Sequence, residues 1–145
     1  LYSFGGVKRY VRGRIISVSY FAWVDSAKFH PRTTEYYSAI QWKEAKKLPP
    51  MAFDHGKIIE FGVERLRNKI EYTNIAYALL PREFTLSETQ KIYEIILGKK
   101  LDKRNFRKKL KMLNLLEPAK KTRHGLKSRP AELYRFKKRS LVFTK

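Results

Sequence analysis

From Ile15 to Val24 the chain reads Ile-Ile-Ser-Val-Ser-Tyr-Phe-Ala-Trp-Val. This run is apolar on both faces of a pleat and predicts a central sheet strand. Residues 25–34, Asp-Ser-Ala-Lys-Phe-His-Pro-Arg-Thr-Thr, read as a loop, and Tyr36 to Trp42 as a second strand. Leu48-Pro49-Pro50 breaks the chain. Asp54 then predicts a helix start, because a carboxylate there accepts from the free N–H groups of the first turn. That helix runs to about Asn68, with Ile59, Gly62, Val63, Leu66 and Ile70 spaced as a buried stripe. A further helix is predicted from Tyr72 to Leu80, ended by Pro81.

The second half of the chain has sharper boundaries. Phe84-Thr85 is short and extended. Thr85-Leu86-Ser87-Glu88 has the pattern of a capping box, in which side chain and backbone at the helix start satisfy each other reciprocally. Leu86, Tyr93 and Leu97 share one face of the helix that follows, and Gly98 is placed to end it in a left-handed conformation. Asp102 predicts the next N-cap. Leu101 before it and Phe106 within the helix form a hydrophobic staple. Phe106, Leu110 and Leu113 form the inward stripe at i, i+4 and i+7. After Asn114 the pattern becomes strand, turn, strand: Leu115-Leu116-Glu117 leads in, Lys120 to Arg129 forms a basic loop containing Gly125, and Ala131 to Phe136 leads out. No internal repeat is visible. Helix, short turn, basic helix and basic hairpin, in that order, define a winged helix-turn-helix.

Composition changes this picture in two ways. At 145 residues with 43% apolar side chains, the chain suffices for one ordinary domain or two small ones and is not a disordered tail. No apolar run approaches the roughly 18 residues of a membrane span, and no secretory leader is read. Cysteine is absent, which removes disulfides and thiolate metal sites and fits a reducing cytoplasm. Charge says more. Lys and Arg total 33 against 13 Asp and Glu, a formal balance of +20. Residues 81–145 hold 20 basic and 6 acidic side chains, a balance of +14, whereas residues 1–80 hold 13 and 7. A field of this strength demands a polyanion (DNA, RNA or an anionic membrane surface), met by the C-terminal half.

A helical wheel narrows the partner. With Phe106, Leu110 and Leu113 facing inward, Arg104, Lys108 and Lys111 lie nearly opposite, flanked by Arg107 and Asn105. Such a helix suits the major groove of B-DNA, where Arg pairs bidentately with guanine and Asn with adenine. Lys108 and Lys111 are expected on phosphates. The wing adds Lys120, Lys121, Arg123, His124, Lys127 and Arg129, a set suited to flanking phosphates or the minor groove. Thr85 and Lys103, at the starts of the two helices, complete the candidate DNA contacts. A basic helix face is often only a solvated surface. The wing repeating the charge beside it favours DNA, although His124 itself reads first as an ordinary loop residue and only second as a specific reader. No metal-ligand spacing occurs among His30, His55 and His124. Glu60 and Glu64 read as solvated carboxylates, and no phosphate loop or catalytic triad is found. Neither a catalytic residue nor a cofactor is expected.

These same residues carry a resemblance. Phe84-Thr85-Leu86-Ser87-Glu88-Thr89-Gln90, then Tyr93-Glu94-Ile95-Ile96-Leu97-Gly98, then Leu101-Asp102-Lys103-Arg104-Asn105-Phe106-Arg107-Lys108-Lys109 resemble the winged-helix domain of the Nudix-related transcriptional regulators. Arg129-Pro130-Ala131-Glu132-Leu133-Tyr134-Arg135-Phe136 fits the same family. Leu48-Pro49-Pro50-Met51-Ala52-Phe53-Asp54-His55 with its following helix is similar to the end of the family's Nudix domain, as is Arg12-Gly13-Arg14 before Ile15. The resemblance implies an α+β chain in which residues 1–70 are part of a Nudix-like effector-sensing domain and residues 71–145 a DNA-binding winged helix-turn-helix. It further implies a bacterial repressor or activator that binds palindromic double-stranded operators as a homodimer. The implied effector is ADP-ribose or another nucleotide sugar, or a sugar. The hydrolase box Gly-x5-Glu-x7-Arg-Glu-x2-Glu-Glu-x-Gly does not occur, and the chain is expected to be a fragment beginning after it. Two other functions remain open at this point. One is a Nudix hydrolase with an accessory winged helix. The other is a basic RNA-binding protein, although the exposed-aromatic sheet motifs of common single-strand RNA readers are lacking.

Overall fold

The computed structural model describes residues 2–24, 29–125 and 128–144, with His124, Gly125, Ser128 and Arg129 described by their backbone alone. The chain divides into two compact units, Leu1–Leu66 and Arg67–Lys145.

In the first unit, β1 (Tyr2–Phe4) and β2 (Ser17–Ser19) pair antiparallel, Tyr2 opposite Ser19 and Phe4 opposite Ser17. Helix α1 (His55–Tyr72) begins here and ends in the second unit. Phe61 of α1 meets Tyr2 and Phe4 of β1, with ring centroids 5.0 and 5.8 Å away. The hub is Arg9. Its guanidinium clamps both carboxylate oxygens of Asp54, and Nη1 also donates to the Phe4 carbonyl and to Ser17 Oγ at 3.1 Å. The Arg9 side-chain bond holds the Asp54 carboxyl below the usual carboxylate range.

Three expectations for this unit are corrected. The strand expected over Ile15 to Val24 is only the three residues of β2, and Ile16, Val18 and Tyr20 are exposed. Tyr36 to Trp42 forms no strand, and Tyr36, Tyr37, Ile40 and Trp42 are exposed. The reason is common to both. A strand exists only where a second backbone satisfies its amides and carbonyls, and among the described residues the only partner offered is the short β1. Third, Asp54 precedes α1 as expected, but its carboxylate is taken by Arg9 and not by first-turn amides.

The second unit opens with the last turns of α1, where Ile70 is buried and Arg67 Nε donates to the Ile96 carbonyl at 3.2 Å. The helix expected from Tyr72 to Leu80 is a single 3₁₀ turn, Ile75–Ala78. The backbone ahead of that turn is committed to the C-terminal segment instead. Thr73 bridges Phe143, and the Asn74 amide donates to the Val142 carbonyl at 3.1 Å. The Asn74 side chain accepts from Val142 N at 2.7 Å and donates to Ser140 O at 3.0 Å. Arg139 closes the turn by donating to the carbonyls of Tyr77, Leu80 and Pro81.

Helix α2 (Leu86–Leu97) has the full capping box, with the Glu88 amide donating to Thr85 Oγ1 at 3.1 Å and the Thr85 amide to Glu88 Oε2 at 2.7 Å. Gly98 ends it at φ +72°, a conformation glycine adopts without steric cost. Helix α3 (Lys103–Met112) starts at Asp102, whose carboxylate accepts from the Asn105 amide at 2.8 Å. Asn114, at φ +50°, turns the chain out of it. Strands β3 (Leu116–Gly125) and β4 (Ser128–Phe136) form an antiparallel hairpin. Most of what was expected as a basic loop between Lys120 and Arg129 is therefore strand. Phe84 adds a bridge to Tyr134, with backbone bonds of 3.0 and 2.7 Å in both directions.

The core of this unit gathers Phe84, Tyr93, Phe106, Leu110, Leu133 and Phe136. Tyr93 of α2 and Phe106 of α3 meet edge to face at 5.1 Å, and Phe84 meets Phe136 at 5.1 Å. Fully burying a side chain of this kind contributes about 1.5–3 kcal/mol. Leu113 of the expected stripe is only half-buried, and on α2 Thr89 is the residue fully enclosed.

Candidate nucleic-acid interface

Burying Phe106 and Leu110 fixes which side of α3 meets water. Lys103, Arg104, Asn105, Lys108, Lys109 and Lys111 are exposed, and Arg107 is half-buried at the edge. Asp102, Lys103, Arg104, Arg107, Lys108, Lys111 and Met112 line one open surface depression. The helix carries six cations and no acid.

Six acids of this unit are bonded elsewhere, while the exposed Glu71 lines a depression with Asn105 and Lys109 without pairing with either. Glu83 pairs with Lys121 at 2.9 Å, and Glu88 holds the Thr85 amide and Arg123. Glu94 takes the Leu101 amide, the Gln90 amide group and Lys100. Asp102 caps α3, Glu117 pairs with Arg135 at 2.6 Å, and Glu132 accepts from the Tyr134 hydroxyl. No described acid pairs with any cation of α3. Like charges at i and i+4, such as Arg104 with Lys108 and Arg107 with Lys111, destabilise a helix by about 0.2–0.5 kcal/mol per pair. A polyanion laid along this face removes that repulsion.

Around α3 the candidates have different surroundings. Asn105 and Arg107 lie on opposite flanks. Arg107 sits near Tyr134 of the hairpin, with its Nε buried and without an acceptor. The Thr85 hydroxyl is committed to the capping box. On the wing, Lys121 and Arg123 turn toward Glu83 and Glu88, while Lys120 is exposed at φ +54°. His124 in β3 and Arg129 in β4 are placed by backbone alone, and Lys127 lies outside the described residues.

Sequence reasoning passed over Glu94. Its Oε1 accepts from Gln90 Nε2 and from Leu101 N, both at 3.0 Å, and so ties α2 to the start of the turn into α3. The Leu101 amide, followed by the Gln90 bond, draws the Glu94 carboxyl below its usual range. A contact spanning seven residues across a turn has no periodic signature. In Glu88, burial pushes the carboxyl up, but the Thr85 bonds and Arg123 outweigh it, and the net shift is downward. Burial pushes the Tyr93 hydroxyl up to about 12, so this core ring stays neutral. Among the described residues no group of His, Asp and Glu gathers as for a metal ion, and no helix is long and apolar enough to cross a membrane.

The family model for the NrtR DNA-binding winged helix domain matches residues 76–136. Residues 76–136 are thus similar to the NrtR winged-helix domain. The matched segment runs from within the 3₁₀ turn through α2, α3 and both strands of the hairpin, so the chain is an α+β protein carrying a winged helix. Over 136 residues the chain is 38% identical to the ADPR responsive transcriptional repressor NtrR of Acinetobacter baylyi, covering 92% of this chain and 54% of that protein. The chain thus spans about half the length of this curated relative. It also matches the crystal structure of Shewanella oneidensis NrtR complexed with a 27mer DNA, with 30% identity and a TM-score of 0.74 over 93% of this chain and 62% of that one. A crystal structure of Shewanella oneidensis NrtR gives 31% identity and a TM-score of 0.73 over 94% of this chain and 62% of that one.

Proposed function

We propose that this chain binds double-stranded DNA sequence-specifically as a transcriptional regulator, with α3 as the reading helix. The observation that carries this reading is the outward face of α3, whose six cations pair with no described acid while Glu83, Glu88 and Glu117 are bound elsewhere. Arg104 and Arg107 pair with base edges, with Asn105 beside them, and Lys103, Lys108 and Lys111 hold phosphates. The start of α2 at Thr85 and the wing residues Lys121, Arg123, His124, Lys127 and Arg129 meet the flanking backbone. The chain acts as a homodimer on a palindromic operator, in a bacterial cytoplasm, and performs no catalysis.

Residues 1–70 contribute to a Nudix-like effector-sensing domain, and the effector is ADP-ribose or a chemically similar nucleotide sugar. The DNA complex and the ADPR-responsive repressor among the relatives support this reading. An open cleft of about 860 Å³ in the first unit is bordered by Lys8, Lys46 and Lys57 together with Glu60 and the Arg9–Asp54 pair, a positive balance compatible with an anionic ligand. Titration of palindromic and scrambled duplexes tests specificity: a clear preference is expected, and equal affinity would remove the claim. ADP-ribose added to the preformed complex should change its affinity, and an unchanged affinity would reject this effector.

A further inference from the structure

The hairpin is held unevenly. At its base Leu116 faces Phe136, Glu117 faces Arg135 and Pro118 faces Tyr134, and the Phe84–Tyr134 bridge fixes it to the rest of the unit. Above Pro118 the register slips before pairing resumes at Thr122 opposite Glu132, and Lys120 within the slip has φ +54°. A non-glycine residue in the left-handed region marks a break in the regular ladder. The outer wing is therefore joined to its base through an irregular stretch.

Two cations reach back, Lys121 at the end of that stretch and Arg123 just beyond it. Lys121 and Arg123 are two residues apart and share one face of β3. Lys121 Nζ lies 2.9 and 3.3 Å from the two carboxylate oxygens of Glu83. Arg123 Nη1 donates to Glu88 Oε1 at 2.6 Å, and Nη2 to the Glu83 carbonyl at 3.4 Å. Neither acid is free to follow the wing. Glu83 immediately precedes the bridging Phe84, and the other oxygen of Glu88 is fixed by the Thr85 amide. Both cations stay half-open to solvent, Lys121 at 64% and Arg123 at 49% side-chain exposure.

We propose that Glu83 and Glu88 form a carboxylate latch that holds Lys121 and Arg123 in the free protein and yields them to the phosphates of a bound duplex. Magnitude decides for a latch over a strut. Exposed ion pairs contribute little, and the backbone ladder already holds the wing base. A phosphate offers the same paired oxygens and adds counterion release, so it displaces a carboxylate at such a site. The two acids then set the affinity of the wing for DNA without touching it. This inference rests on the DNA-binding reading above.

The test needs no operator, because the latch answers to phosphate. Affinity of the whole chain for a short mixed-sequence duplex is measured at fixed salt. Glu83→Gln and Glu88→Gln should each tighten binding by roughly two- to fivefold. Glutamine at 88 keeps an acceptor for the Thr85 amide, so the capping box persists. Glu117→Gln changes net charge by the same amount but frees Arg135 below the slip, and should tighten binding less. Arg123→Ala should weaken binding more in the Glu88→Gln background than alone. Weaker or unchanged binding in the Glu83 and Glu88 variants, or equal tightening by Glu117→Gln, would overturn the latch. Lys108→Ala with Lys111→Ala separates the two readings. If that pair weakens binding while the Glu83 and Glu88 variants fail to tighten it, the latch alone falls. If that pair changes nothing either, the DNA-binding reading falls with it.

Discussion

Helices α2 and α3 are built alike and finished differently. Each opens on a side-chain cap, Thr85 or Asp102, and each sends an aromatic ring into the same contact, Tyr93 against Phe106. Their outer faces diverge. Helix α2 carries Glu88, Lys91 and Glu94, and both acids are bonded. Helix α3 carries six cations that pair with no described acid. Packing explains the inner face of both helices and the outer face of neither. What packing leaves over on α2 is local bonding that fixes the turn and engages a cation of the wing. On α3 it is repulsion, which has a physical rationale once a polyanion is present.

Substitutions can break or sharpen this contrast. The largest effect is expected inside, where the helices are alike: Phe106→Ala leaves a cavity and should lower unfolding free energy by about 3–5 kcal/mol in a denaturant titration. Outside, the helices should part company. Arg104→Ala should cost about 1–3 kcal/mol of operator affinity with unfolding unchanged. Lys91→Ala on α2, equally exposed, should leave that affinity within about 0.5 kcal/mol, as an ordinary surface substitution does. Equal losses from Arg104→Ala and Lys91→Ala would mean that charge anywhere on the unit suffices.

The caps come next. Thr85→Ala and Asp102→Ala should each reduce stability by about 0.5–2 kcal/mol, most readily seen as a lower unfolding midpoint. The smallest effect concerns Glu94 and pH. Its folded carboxyl lies below the ordinary 4.5, drawn down first by the Leu101 amide. Its contribution is therefore complete above that value and fades as pH falls through the depressed one. Stability of the protein should drop on acidification into that range, and less steeply in Glu94→Gln. Identical pH profiles would show that Glu94 does not hold the turn.

The caps, the αL glycine at 98, the buried Phe106 and Leu110 and the cationic face of α3 were all legible in the sequence. Each depends on residues within a turn or two of one another, where spacing is itself geometry. Legibility failed where distant backbone decides. Thr73 and Asn74 read as helix, but Ser140, Val142 and Phe143 claim their polar groups. Lys120 to Gly125 read as loop because six polar or small residues carry no alternating pattern, yet the partner strand organises them. Ile15 to Val24 read as a buried strand, and hydrophobicity alone could not supply the neighbours that burial requires. For the site, the sequence showed which residues are cationic but not which were already engaged. Lys121 and Arg123 differ from Lys108 and Lys111 only through Glu83 and Glu88, some forty residues before them in the chain.

The central claim is that the outer face of α3 neutralises DNA phosphates, and the salt dependence of duplex binding tests it most directly. Each phosphate contact contributes about 0.9 to the slope of log affinity against log salt on B-DNA. Replacing Lys108 and Lys111 together by alanine should lower that slope by roughly two contacts' worth and weaken binding across sequences alike. An unchanged slope in the double variant, with binding otherwise intact, would contradict the account and move the DNA contact away from α3.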